Sequence, residues 1–125
     1  MNNRPDKSDM SRLPTIIAVD FDGTIVDDKY PDIGQPRLDF IEDLKLLRES
    51  GVRLILWTCR SGEYLTAAVN ACASFGLEFD AVNRNIEETV ELFDNDTRKV
   101  YADYYIDDKN LTLDRFHRLK LCGVN

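Results

Sequence analysis

The chain alternates short apolar runs with longer segments in which apolar residues recur every three or four positions. Four short runs, rich in β-branched and aromatic residues, predict strands: TIIAVD at 15–20, VRLILWT at 52–58, FDAVN at 79–83 and YADYYID at 101–107. Four longer segments predict helices: Pro36 to Ser50, Ser61 to Gly76, 87–93 and 111–121. This βαβαβαβα order indicates an α/β fold with a doubly wound parallel sheet.

The chain length and the positions of prolines and glycines predict one domain with an N-terminal extension. The 125 residues suit a single core, which we expect over 13–125, preceded by a flexible N-terminal tail over 1–12. The segment from Gly23 to Pro36 carries two prolines, two glycines and several aspartates, and is therefore predicted to be a loop or flap. No run approaches the roughly 20 apolar residues of a membrane span, so no membrane partner is expected.

Charge and cysteine usage narrow the functional classes. Sixteen basic and 23 acidic residues give a net charge of −7, which would repel nucleic acid and anionic lipid. The three cysteines, Cys59, Cys72 and Cys122, are odd in number and lie in apolar segments without CxxC spacing. They are interpreted as reduced core thiols, and the protein as cytoplasmic.

Polar residues collect where the predicted strands end. Asp20 ends the first strand and Asp22 follows it, Thr58 ends the second, and Asp107-Asp108 end the fourth. Taken singly, each aspartate could be a turn former or a helix cap. Together, at the edge where an open parallel sheet binds its ligands, they would repel one another unless a cation lay among them. Hard oxygen ligands in this number predict a Mg²⁺ site.

Asp20 and Asp22 can take different roles although they are one residue apart. Their side chains share a face while the strand continues, and the glycine at 23 allows the chain to turn sharply. One carboxylate could attack phosphorus beside the metal while the other transfers protons.

The segment IAVDFDGTIV at 17–26 resembles the DxDGT first motif of the haloacid dehalogenase-like superfamily of aspartyl phosphotransferases. Thr58 in ILWT resembles the second motif, and Asp107-Asp108 in YYIDDKN the fourth. The basic third motif is assigned to Lys99, with Arg98 as the rival. The order of motifs agrees over 15–121 and is similar to that of small capless members with a YPDIG-like flap. This resemblance implies a Rossmann-like three-layer α/β/α sandwich without a cap domain.

The resemblance also implies a mechanism, that of a Mg²⁺-dependent phosphoric monoester hydrolase. Asp20 would form an aspartyl-phosphate, with Asp22 as general acid and then general base. Thr58 and Lys99 would bind phosphoryl oxygens. Mg²⁺ would be held by the Asp20 carboxylate, the Asp22 backbone carbonyl and Asp107, with Asp108 as a further or outer ligand.

Other residues near the expected site are candidates for contact with a small phosphorylated substrate. They are Tyr30, Gln35, Arg60, Glu63, Asn83 and Arg84, together with Thr24, which would also support the turn of the first motif. Cys59-Arg60 lacks the glycine-rich anion cradle of a cysteine phosphatase. His117 is expected on the surface and Trp57 in the core.

Three other functions stay open beside the phosphatase. A phospho-accepting receiver domain would carry its acceptor Asp at the end of the third strand, where this chain has Val82-Asn83. A catalytically silent binding or regulatory scaffold could retain the same residues. A nucleic-acid 3′-end phosphatase could use an open site, although the net charge disfavours it.

An exposed site would also suit a homo-oligomer whose neighbouring subunit partly covers it.

Overall fold

A computed structural model describes residues 6–121 of the chain. Four strands alternate with helices in the predicted order. The elements are α1 (Lys7–Met10), β1 (Ile16–Val19), α2 (Leu38–Glu49), β2 (Arg53–Leu56), α3 (Gly62–Ser74), β3 (Ala81–Val82), α4 (Glu87–Phe93), β4 (Tyr104–Ile106) and α5 (Leu113–Leu121). The prediction of an α/β fold is confirmed.

The four strands form one parallel sheet in the order β3-β2-β1-β4. Ala18 of β1 pairs with Ile55 on one side and with Tyr105 on the other. The chain therefore moves outward from β1 through β2 to β3, and then crosses back to place β4 on the far side of β1. Strand order reverses beside β1, and the carboxyl ends of β1 and β4 flank this point.

Apolar side chains from both faces of the sheet are buried. The sheet has one apolar core on each face. Alternate residues of β1 belong to different cores, because successive side chains in a strand point to opposite faces. Ile17 and Val19 pack with Ile41 and Leu44 of α2 and with Cys72 of α3. The residues on the other face pack with the chain around α4 and before β4: Ile16, Ala18, Ile55 and Ala81 against Ile86, Val100 and Ala102.

The ends of the described chain carry two features that the sequence pattern does not indicate. Residues 1–5 and 122–125, including Cys122, lie outside the described part. Within the predicted flexible tail, the short helix α1 forms because Asp6 accepts hydrogen bonds from the Ser8 and Asp9 backbone N–H groups. At the other end, α5 exposes Leu113 and Phe116, which are apolar and 88% and 56% accessible.

Of the predictions for single residues outside the site, some agree with the structure and one does not. Trp57 packs partly buried against the core, and His117 is exposed, as expected. Cys72 is buried, and burial raises the pKa of its thiol to about 12. Cys59 is exposed, so its prediction as a core thiol is wrong; it lies beyond the end of β2, where the chain has left the apolar interior. No helix within 6–121 has the length and apolarity needed to cross a membrane.

Candidate active site

A cavity of about 470 Å³ opens at the carboxyl ends of β1, β2 and β4. β1 runs into Asp20 and Asp22, β2 into Thr58, and β4 into Asp107. The cavity is lined by Asp20, Asp22, Asp28, Tyr30, Thr58, Cys59, Arg60, Asp107 and Lys109. The sheet therefore brings together, at one edge, carboxylates that lie up to 87 positions apart in the sequence.

Three of the carboxylates form a compact cluster. One oxygen from each of Asp20, Asp107 and Asp108 lies within 4.8 Å of the others. Parallel pairing of β1 with β4 causes this proximity, because Val19 pairs with Ile106 and the next residue in each strand is an aspartate. Asp107 faces the cavity, whereas Asp108 lines an adjoining groove with Gly23 and Thr24.

The cluster changes the acidity of Asp20. Burial, followed by the charges of Asp107 and Asp108, raises the pKa of the Asp20 carboxyl to about 6, although a hydrogen bond from the Phe21 backbone N–H acts in the opposite direction. A raised carboxyl pKa means that the ionised form is disfavoured by its surroundings. A cation among the three carboxylates would remove that penalty.

The turn after Asp20 is built closely around Asp108. Gly23 has a φ of +82°, and a Cβ placed on it would lie 2.2 Å from Asp108 Oδ2. Thr24 Oγ1 accepts a hydrogen bond of 3.1 Å from the Asp108 backbone N–H and donates one of 3.4 Å to Asp20 Oδ2. Thr24 is buried. It therefore supports the turn, the role that the resemblance implies, and joins it to the acidic pair, but it does not line the cavity.

Asp22 is held by an ion pair with Arg60. Arg60 Nε and Nη2 donate hydrogen bonds of 2.8 Å to the two carboxylate oxygens of Asp22. The side chain of Arg60 is 1% exposed, and that of Asp22 is 16% exposed. The pair is consequently a bidentate, nearly dry contact at the wall of the cavity.

Arg60 also binds the flap, Ile25 to Pro36. Its Nη1 donates to the Pro31 and Tyr64 carbonyls, and its Nη2 donates to the Asp32 carbonyl. With the two bonds to Asp22, all five N–H donors of the guanidinium are used. In this structure Arg60 has no free N–H group for a substrate, which differs from its prediction as a substrate contact.

Thr58 is positioned by Asn83 from the neighbouring strand. The Thr58 backbone N–H donates a 2.8 Å hydrogen bond to Asn83 Oδ1, and Thr58 Oγ1 accepts one from the Arg60 backbone N–H. Among the described residues, none accepts a hydrogen bond from the Thr58 hydroxyl, so this donor can face a ligand. Asn83 lies behind Thr58 and does not line the cavity, where the sequence predicts it to contact substrate.

The lysine at the cavity is Lys109. Its Nζ donates a 3.4 Å hydrogen bond to Asp108, and this bond and the Asp108 charge raise the pKa of Lys109. Lys99 does not line the cavity; its Nζ lies 5.2 Å from the centre of the Tyr105 ring. Tyr105 pairs with Ala18 and shares its face of the sheet. Lys99 is thus on the face that Asp20 continues, but farther from the strand ends.

The remaining residues predicted to contact substrate, and the rival Arg98, differ in whether they line the cavity. Tyr30 lines the cavity from the flap, and its contact with a substrate stays a prediction. Four others lie outside the lining: Gln35, Glu63, Arg84 and Arg98. The sequence reasoning missed Asp28 and Lys109. Lys109 directly follows the acidic pair at a strand end, and this position was a usable signal.

No protein-family model matches this chain, and no curated protein matches it. A solved structure of a conserved protein from Bacteroides thetaiotaomicron is 40% identical in sequence, over 90% of this chain and 94% of that one, with a TM-score of 0.69. This chain belongs to the family of that protein. The Bacteroides thetaiotaomicron protein is described as conserved, with no activity named. The similarity therefore supports the fold, and any argument about chemistry rests on the residues of the site.

Proposed function

We propose that the protein is a Mg²⁺-dependent phosphatase of the haloacid dehalogenase-like superfamily, acting on a small phosphate monoester. One observation carries this proposal: the carboxylates of Asp20, Asp107 and Asp108 converge beside Asp22 and Thr58 at the carboxyl edge of the sheet. These residues occupy the first, second and fourth motifs that the sequence resembles. The raised pKa of Asp20 supports a place for a cation among them.

The three carboxylates fit Mg²⁺ in kind and spacing. Mg²⁺ prefers oxygen ligands at about 2.1 Å in octahedral geometry, so two of its ligand atoms lie at most about 4.2 Å apart. Oxygens already within 4.8 Å of one another need to move little to reach that arrangement. Asp20 and Asp107 would hold the ion, with Asp108 as a further or outer ligand. When bound, the ion would neutralise part of the charge on the phosphoryl group and on Asp20.

In the proposed reaction, Asp20 is the nucleophile. An Asp20 carboxylate oxygen forms a bond to phosphorus while the bond from phosphorus to the leaving oxygen breaks. Water then attacks the aspartyl-phosphate, releases inorganic phosphate and restores the carboxylate. The Thr58 hydroxyl donates to a phosphoryl oxygen throughout.

Asp22 would transfer the protons. Arg60 holds the Asp22 carboxyl in place with two hydrogen bonds. As the resemblance implies, Asp22 would carry a proton into the first step and give it to the leaving oxygen. It would then take a proton from the attacking water, which restores its starting state.

The finer architecture belongs to the same proposal. Residues 25–36 are the only insertion expected between the first motif and α2, and 12 residues are too few to form a core of their own. The site is accordingly that of a capless member with a three-layer sandwich, closed on one side by its flap. A homo-oligomer that covers the remaining opening stays a prediction.

Hydrolysis of p-nitrophenyl phosphate, with Mg²⁺ or with EDTA, tests the proposal. We expect turnover that needs Mg²⁺ and falls at least 1,000-fold in Asp20→Asn, because the nucleophile is lost. Asp39→Asn, an exposed carboxylate of α2, is the matched control and should keep wild-type turnover. Acid quenching during turnover should trap a phosphoryl group on Asp20. If no compound in a panel of sugar, nucleotide and amino-acid phosphates is hydrolysed while Mg²⁺ still binds, the silent scaffold is the better interpretation.

The same assay distinguishes the two lysines. Lys109 lines the cavity, so Lys109→Met should raise the KM for the phosphate ester about tenfold by removing a charge near the phosphoryl group. Lys99→Met should change it less than twofold, because Lys99 lies over Tyr105. The reverse ranking would return the third-motif role to Lys99.

A further inference from the structure

The hydrogen bonds that attach the tip of the flap, residues 28–33, to the rest of the protein come from one side chain, and the Tyr30 ring also packs against that of Tyr64, with centroids 5.8 Å apart. Within residues 6–121, the hydrogen bonds that join the tip to the body are those from Arg60 to the Pro31 and Asp32 carbonyls. The other tip bond is internal, from the Tyr30 backbone N–H to Asp28. The flap base is held separately, by a bond from the Asp27 N–H to the Gln35 carbonyl.

Stacking reinforces the attachment. The Arg60 guanidinium carbon lies 5.0 Å from the centre of the Phe21 ring and 5.1 Å from that of Tyr30. Phe21 is fully buried between the two motif aspartates, whereas Tyr30 is at the tip and 56% exposed. The guanidinium therefore lies between a fixed ring and the exposed tip, where cation–π contacts favour the closed flap.

The same guanidinium orients Asp22. A planar group whose five donors are all engaged has little rotational freedom, so movement of the tip carbonyls must disturb the bonds to Asp22. We propose that Arg60 is a positioning residue that latches the flap tip over the cavity and, through the same guanidinium, couples flap closure to the orientation of the Asp22 carboxylate. The consequence for catalysis depends on the proposed phosphatase function, whereas the latch does not.

Trypsin cleavage after Lys29 measures flap opening without any activity. Lys29 is exposed in the tip, but a protease needs the surrounding chain to open before it can cut, so the rate follows the open population. We expect Arg60→Gln to raise this rate at least tenfold. Arg60→Lys should raise it less, because an ammonium keeps the charge but cannot reach both carbonyls and Asp22. If Arg60→Gln does not fold, the Arg60→Lys comparison decides.

Arg48→Gln is the matched control for general destabilisation. Like Arg60, Arg48 is an arginine that joins two elements, here α2 and the chain before β3 through Asp80, although it is only partly buried. It should leave cleavage after Lys29 within twofold of wild type. A rate after Lys29 that stays within twofold in folded Arg60→Gln would overturn the latch, as would an equal rise at every exposed lysine and arginine. Where Arg60→Gln does not fold, a rate within twofold in Arg60→Lys would overturn it.

Asp22→Asn tests the coupling. An amide oxygen accepts less strongly than a carboxylate, so Arg60 should loosen and cleavage after Lys29 should rise several-fold. No rise would overturn the coupling. In an active protein, Arg60→Lys should lower kcat at least tenfold with KM changed less than threefold, because Asp22 is misaligned. Absence of turnover in wild type would count against the phosphatase alone, since the proteolysis results stand without it.

Discussion

Asp20 combines two properties that conflict in the protein without metal. It is half-buried at the end of β1, and it faces two further carboxylates that directly follow β4. Burial and like charge both favour its protonated form, so a charged Asp20 at neutral pH destabilises the fold. The residue that the proposed chemistry needs is thus one whose stability cost would be relieved by Mg²⁺.

Replacing Asp20 by Asn should stabilise the metal-free protein above pH 6. The folded-state pKa of about 6 exceeds the unfolded value of about 3.9, so protonated Asp20 contributes stability below pH 4 that is lost as the pH rises through 6. Asn has no such loss. After allowance for solvent screening at a half-exposed group, we expect wild type to lose about 1–2 kcal/mol relative to Asp20→Asn between pH 4 and pH 7.5. Urea unfolding in EDTA measures the difference.

Magnesium supplies the control for this prediction. At a concentration 100 times its dissociation constant, a ligand that binds only the folded state stabilises it by about 2.7 kcal/mol. Mg²⁺ should therefore reverse the order at pH 7.5, stabilising wild type and leaving Asp20→Asn almost unchanged. Equal stabilisation of the two proteins would contradict a site that includes Asp20.

At this scale, sequence reasoning found the residues that follow strand ends. Asp20, Thr58 and Asp107 could be predicted to converge because parallel strands end at one edge. The partner of Asp22 could not, since Arg60 lies 38 positions away and no local pattern pairs them. Arg60 was assigned to the substrate because a sequence gives its charge and not the five acceptors around it.

At the scale of elements, the turn after β1 locks two strand ends together. Gly23 and Thr24 both contact Asp108, which follows β4, so the turn and the acidic pair form one unit. A side chain at position 23 would have to displace the Asp108 carboxylate. The geometry of the carboxylate cluster therefore depends on a residue that has no side chain.

Gly23→Ala should lower the free energy of unfolding by more than backbone strain alone accounts for. Gly76→Ala is a close control, because its φ of +79° matches the +82° of Gly23 and its new Cβ would meet only the flexible end of Lys45. Left-handed strain costs each variant about 1–2 kcal/mol. We expect about 2 kcal/mol more for Gly23→Ala, together with loss of stabilisation by Mg²⁺, in thermal unfolding with and without the ion. Equal costs and equal responses to Mg²⁺ would show that Asp108 moves aside freely.

Regular elements were predictable where packing and local pattern agree. The runs that gave β1 and β2 are apolar because both faces of those strands are buried, and their positions are confirmed. All four strands are shorter than predicted. The third and fourth, Ala81–Val82 and Tyr104–Ile106, keep the smallest part of their predicted ranges, since edge strands have a neighbour on one side alone. The short helix α1 depends on hydrogen bonds to the side chain of Asp6. The periodicity of apolar residues cannot predict it, because those bonds are local and the helix is short.

At the scale of the whole molecule, charge acts on the substrate before any contact. The net charge is −7, and the cavity wall adds Asp28 to the carboxylates of the motifs, with Lys109 as an exposed cation beside them. Such a field disfavours the approach of polyanions and matters less for a substrate with a single phosphate. The capless site proposed above would admit a nucleic-acid end sterically, so electrostatics must decide between the two proposed substrate classes.

A 3′-phosphorylated oligonucleotide should therefore be a poor substrate whose rate improves with salt. At 20 mM salt we expect its kcat/KM to be at least 100-fold below that of p-nitrophenyl phosphate. The gap should narrow several-fold at 200 mM, because the screening length falls from roughly 20 Å to about 7 Å. Asp20→Asn controls for contaminating nuclease or phosphatase. A true nucleic-acid phosphatase would behave in the opposite way, since its phosphate contacts release counterions and binding weakens as salt rises. The sign of the salt dependence thus distinguishes a small-molecule phosphatase from a 3′-end phosphatase.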